Sequence, residues 1–69
     1  MRKAIYPNVE LELVRSNLYR KDLGKKVGMS PTLIGLKLNG GSNITFKEAM
    51  EIKKALNSDM PLERLFETS

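Results

Sequence analysis

Apolar residues recur along this chain at the spacing of helices, and turn-forming residues separate one apolar cluster from the next. Val9 and Leu13 fall four apart, with Leu11 and Val14 at the margins, which predicts a helix ending at Arg15 or Ser16. Asn8 is placed to cap it, and Glu10 and Glu12 lie near the positive end of its dipole. Asn17 tolerates the left-handed backbone that ends a helix, and Leu18 follows as a residue that folds back on the core. A second helix begins at Tyr19 or Arg20, buries Leu23 and Val27, and stops at Gly28. Gly24 beside that face predicts a backbone too close for a larger side chain. Met29 is the apolar residue of the turn. Ser30 caps a third helix, Pro31 occupies its first turn, Ile34 and Leu38 face inward, and Asn39-Gly40-Gly41 closes it.

The sharpest local signal is Thr45 followed three residues later by Glu48, a capping box that starts a fourth helix at Phe46. Ala49, Ile52 and Leu56 line its inner face, with Phe46 and Met50 helping, while Lys47, Glu51, Lys53 and Lys54 stay outside; the helix ends near Asn57. Pro61 opens a short fifth helix carrying Leu62, Leu65 and Phe66. No stretch alternates with period two for long enough to form a strand, and no repeat is visible. The expected fold is all-α, a bundle of five short helices, with residues 1–7 as an N-terminal arm pinned by Ile5 and Tyr6, and residues 8–69 as one domain. The expected core is Val9, Leu13, Leu18, Leu23, Val27, Met29, Ile34, Leu38, Ile44, Ala49, Ile52, Leu56, Leu65 and Phe66.

Composition narrows the function classes. A chain of 69 residues holds one small core and no large pocket. Cysteine and histidine are both absent, which removes disulfides, thiolate metal sites and the usual imidazole ligands and bases. The carboxylates fall at helix starts and on lysine-rich faces rather than around a pocket, so no catalytic, cofactor or metal residues are expected, and the chain is not expected to be an enzyme. No apolar run is long enough to cross a bilayer, and no apolar segment follows the basic start, so a cytoplasmic location is expected. The net charge of +4 is unevenly spread. From Arg15 to Lys47, seven basic residues face only Asp22, a local +6; from Glu48 to Ser69, three basic residues face five acidic ones, a local −2. A polyanion is drawn to the first of these spans.

Within that span, Leu23, Gly24, Val27, Gly28, Met29, Ile34 and Asn39-Gly40 together resemble the helix-turn-helix of the phage-repressor family, the Cro-like or XRE-type DNA-binding domains. The resemblance extends from the helix at Asn8 to Leu65-Phe66. It implies a prophage or bacterial transcriptional regulator of the repressor-like kind, which binds double-stranded DNA as a homodimer. The helix from Pro31 would lie in the major groove while the helix from Arg20 crosses the backbone. Phosphates would be held by Arg20, Lys21, Lys25, Ser30, Lys37, Ser42, Asn43 and Lys47, with backbone N–H groups at the helix starts.

The base-facing positions implied by the resemblance are Pro31, Thr32, Leu33, Gly35, Leu36 and Asn39. Here the chain departs from the family, because Gly35-Leu36 stands where many relatives carry Ser-Arg. Only Thr32, Lys37 and Asn39 offer polar reach, and Leu33 or Leu36 could rest on thymine methyls. The same apolar face supports a second expectation, a protein-interaction module on this fold that docks a protein partner through Leu33 and Leu36. Leu62 and Phe66 are candidates for a dimer surface or for closing the core.

Overall fold

The computed structural model describes residues 4–68, and the expected arm at Met1, Arg2 and Lys3 lies outside the described residues. Five helices follow one another: α1 (Pro7–Arg15), α2 (Arg20–Val27), α3 (Pro31–Leu38), α4 (Phe46–Leu56) and α5 (Leu62–Leu65). Among the described residues there is no strand. The Cα radius of gyration, 10.6 Å, matches the value of about 11 Å expected for a folded domain of this length.

Each helix ends where local chemistry requires it. Ser30 Oγ accepts from Leu33 N at 3.1 Å and caps α3. Thr45 and Glu48 cap α4 reciprocally: Glu48 N donates to Thr45 Oγ1 at 3.1 Å and Thr45 N donates to Glu48 Oε1 at 3.0 Å. Asn17 and Asn57 adopt left-handed backbone after α1 and α4, with φ of 58° and 52°. Gly28 does the same after α2 with φ of 76°, which turns the chain toward α3.

Two caps differ from expectation. Pro7, not Asn8, opens α1, because proline at the first helical position loses no hydrogen bond; Pro7 therefore belongs to the helix rather than the arm. Asn8 is thereby moved inside the helix, where its Nδ2 donates to Arg64 O at 2.7 Å and ties α1 to α5. Pro61 stands one residue before α5, as its N-cap.

The core consists of Val9, Leu13, Leu23, Ile34, Leu38, Ile52, Leu56 and Leu65, all from the expected set. Leu18, Val27, Met29, Ile44 and Phe66 pack at its edge together with Tyr6, Ala55 and Met60. Phe46 and Met50 do not help to bury α4; they are 72% and 50% exposed. The 100° step from the buried Ile52 and Leu56 puts Phe46 at the shoulder of the helix and carries Met50 onto its outer face. Leu11 and Val14 are exposed on α1 because the 100° step places both on the face opposite the buried Val9, Glu12 and Leu13. Ile5 N donates to Leu38 O at 3.2 Å, and the Tyr6 ring meets Phe66 edge-on at 5.3 Å, so residues 5 and 6 are fastened to the bundle. Phe66 accordingly serves to close the core.

α2 lies at the centre, packed on both α3 and α4. Gly24 makes the first of these contacts close. A Cβ at that position would stand 2.8 Å from Met29 O and 3.0 Å from Ile34 Cγ2, so backbone occupies the space a side chain would need.

Candidate nucleic-acid interface

The turn Gly28-Met29-Ser30 joins α2 to α3, and Met29 N donates to Gly24 O at 2.7 Å to tighten it. α3 then buries Ile34, Lys37 and Leu38. With 100° between successive residues, Thr32 and Leu36 form the crest opposite that buried stripe, with Gly35 on one shoulder and Leu33 on the other. Pro31, Thr32 and Leu33 are exposed, whereas Gly35 and Leu36 are half-buried. Leu36 leans on the loop beyond the helix: a Cβ on Gly41 would stand 3.1 Å from Leu36 Cδ2. The outward face of α3 is thus low, uncharged and only partly apolar.

Lys37 has a different role from the phosphate contact expected of it. Its side chain is 9% exposed, and Nζ donates to Glu48 Oε1 and to Asn43 O, both at 2.9 Å. A four-carbon stem on the buried side of α3 can only end in a partner, because an unpaired buried ammonium is costly. Lys37 therefore clamps α3 to the start of α4 and to the loop between them. The Glu48 carboxyl is held below the usual glutamate range, first by the backbone N–H of Thr45 and then by Lys37.

Arg20 is also engaged within the fold. Its Nη2 donates to Glu10 Oε2 at 2.9 Å and to Asn39 Oδ1 at 3.0 Å, so one guanidinium links α1, α2 and the end of α3. Both members of the Arg20–Glu10 pair are about one-third exposed (31% and 33%), and a pair so open to solvent contributes at most about 1 kcal/mol. Its structural effect is to fix Asn39, whose oxygen is taken while its amide N–H groups remain to donate.

Three basic residues of the +6 span are thus neutralised by acids from outside it: Arg15 by Glu12, Arg20 by Glu10 and Lys37 by Glu48. Four lysines remain exposed and make no ion pair among the described residues: Lys21, Lys25 and Lys26 on α2, and Lys47 in the first turn of α4. Against Asp22 they leave a local charge of +3. Asp22 is itself committed, because its Oδ2 accepts from Tyr19 N at 2.9 Å at the start of α2. Lys21 Nζ lies 6.0 Å from the centroid of the exposed Tyr19 ring. Lys26 is an addition to the expected set; its position in the last turn of α2, one residue past Lys25, was the available signal.

Of the remaining expected phosphate residues, Asn43 is exposed and Ser42 half-buried, both in the loop before α4. Ser30 uses its oxygen to cap α3, which leaves its hydroxyl proton to donate. The partners that sequence reasoning missed, Glu10 for Arg20 and Glu48 for Lys37, carried no short-range signal, since they lie ten and eleven residues away. Lys53, expected outside, is half-buried and donates to Ser58 O at 3.2 Å. Among the described residues, no helix is long and apolar enough to cross a membrane, and no three carboxylates gather as metal ligands.

The chain matches no protein-family model, and no curated protein matches it.

Proposed function

We propose that this protein is a small DNA-binding transcriptional regulator, in which α2 and α3 act as a helix-turn-helix. α3 enters the major groove, and α2 crosses the backbone with Lys21, Lys25 and Lys26 on phosphates, joined by Lys47 from α4. One observation carries this reading: the unpaired lysines of the span from Arg15 to Lys47 lie on α2 and at the start of α4, while α3 presents a short, uncharged outward face between capped helix ends. Such a division suits a duplex, whose charge lies on its backbones and whose base edges lie in the groove between them. Two copies on one duplex are part of the proposal, because a single small module in one groove makes few contacts.

Anisotropy titrations of labelled duplexes with substituted proteins test it. Lys25→Ala is expected to weaken binding to all sequences by a similar factor, whereas Thr32→Ala is expected to change the ranking among sequences. If Lys25→Ala left every affinity unchanged, the assigned backbone contact would be wrong.

The small apolar area of α3 favours this reading over docking of a protein partner through Leu33 and Leu36. Leu36 is already half covered by its own loop, and Leu33 is only 37% exposed. What remains falls well short of the contiguous patch of a few hundred Å² that marks a protein interface.

A further inference from the structure

We propose that Gly35 is the point at which the backbone of α3 rests against the edge of the DNA major groove, and that the apolar side chains beside it take up thymine methyl groups. This rests on the DNA-binding reading above and specifies what α3 would read.

The starting point is a glycine without an internal reason. Gly28 and Gly40 have positive φ, which a side chain disfavours. At Gly24 a Cβ would collide with Met29 O, and at Gly41 it would press on Leu36. Gly35 has neither constraint. Its φ is not positive, and a Cβ built there meets nothing within 4 Å. Yet it sits in the middle of an eight-residue helix, where glycine is among the worst formers. The bare backbone faces outward beside the crest, so the space it leaves open is available to something outside the fold.

The chemistry of the surrounding face identifies that occupant. Lys37, the charged residue of α3, points inward to Glu48, so no cation on this helix draws a phosphate to the crest. Guanine and adenine edges call for paired donors and acceptors. The crest offers one hydroxyl, Thr32, and the Asn39 oxygen at its end is already held by Arg20. Leu33 and Leu36 offer methyl groups instead. The group on a base edge that these two leucines can recognise is the C5-methyl of thymine, and reaching it requires close approach because dispersion falls off within an ångström of contact.

The test measures wild type and Gly35→Ala at low salt against three duplexes of equal length: alternating A·T, the same duplex with deoxyuridine for thymidine, and alternating G·C. Wild type is expected to bind the thymidine duplex more tightly than the deoxyuridine one, by about fourfold for each methyl contacted. Gly35→Ala is expected to melt about 2 to 8 °C higher, since its methyl enters open space on a helix. It should nevertheless lose the thymidine preference while keeping its affinity for the deoxyuridine duplex, where phosphate contacts dominate. Equal binding of the thymidine and deoxyuridine duplexes by wild type, or an unaltered preference in Gly35→Ala, would overturn the proposal and leave DNA binding standing. Failure of wild type to bind any of the three would overturn DNA binding itself, and this inference with it.

Discussion

Single residues divide between those that build the frame and those left to act outside it, and Gly24 and Lys37 belong to the frame. Gly24→Ala gains helix propensity of up to about 1 kcal/mol but forces a methyl to within 2.8 Å of a backbone oxygen that cannot move alone. Overpacking of this kind costs about 1 to 3 kcal/mol, so a net loss is expected in a urea melt. Lys37→Met should still fold, at some cost in stability: the thioether fills the space of the lysine stem, and the Glu48 carboxylate left behind keeps the Thr45 N–H and a side chain 26% open to water. Its affinity for duplex DNA is expected to stay within about twofold of wild type, since an ammonium bonded to Glu48 and Asn43 is not available to a phosphate. A large loss of affinity in Lys37→Met would show that the clamp opens on DNA. The helical spacing of the sequence marked Lys37 as polar on α3 without showing where it points. It lies one residue before the buried Leu38, and its partner is on the next helix.

At the scale of elements, α3 is held by three devices: the Gly24 contact at its start, the Arg20–Asn39 bond at its end and the Lys37–Glu48 clamp along its inner side. The clamp makes the α3–α4 junction sensitive to acid. Because the Glu48 carboxyl titrates below the usual glutamate range in the folded protein, its contribution is complete above that range and is lost as pH falls through the lowered value. Glu48→Gln should therefore be less stable than wild type at neutral pH, and the gap should narrow on acidification; thermal melts at pH 7 and pH 3 measure both. Thr45→Ala removes the other half of the cap and is expected to cost about 1 kcal/mol at either pH. The helices themselves were legible because their signals are short in range: Ser30 with Pro31, Thr45 with Glu48, and Gly28 after Val27 each act within four residues. Asn8 was misplaced because Pro7 supplied a competing start to the same helix. Phe46 and Met50 are exposed although apolar because one lies at the shoulder of the stripe set by Ile52 and Leu56 and the other on the outer face, and apolar character alone does not reveal which face is covered.

For the whole molecule, the electrostatic picture is what folding changes most. Counted along the sequence, the span from Arg15 to Lys47 carries +6; folded, three of its cations are paired with Glu12, Glu10 and Glu48, and the field comes from Lys21, Lys25, Lys26 and Lys47. Arg15–Glu12 is an i, i+3 pair within α1, but Arg20–Glu10 and Lys37–Glu48 join different elements and could not be read from the chain, since those acids cancel part of the basic span only once α1 and α4 have packed. The all-α fold and the core, by contrast, followed from spacing alone, from Val9 and Leu13 in α1 to Leu65 in α5. The reduced charge sets a quantitative expectation for DNA binding. With three or four phosphate-facing lysines, the logarithm of the association constant should fall against the logarithm of salt with a slope between about −2.7 and −3.6 per bound copy. The most direct measurement is anisotropy of a labelled duplex titrated with the wild-type protein from low to physiological salt. Binding at low salt that weakens along that slope is the expected result. No binding at low salt, or an affinity indifferent to salt, would contradict DNA binding by this surface.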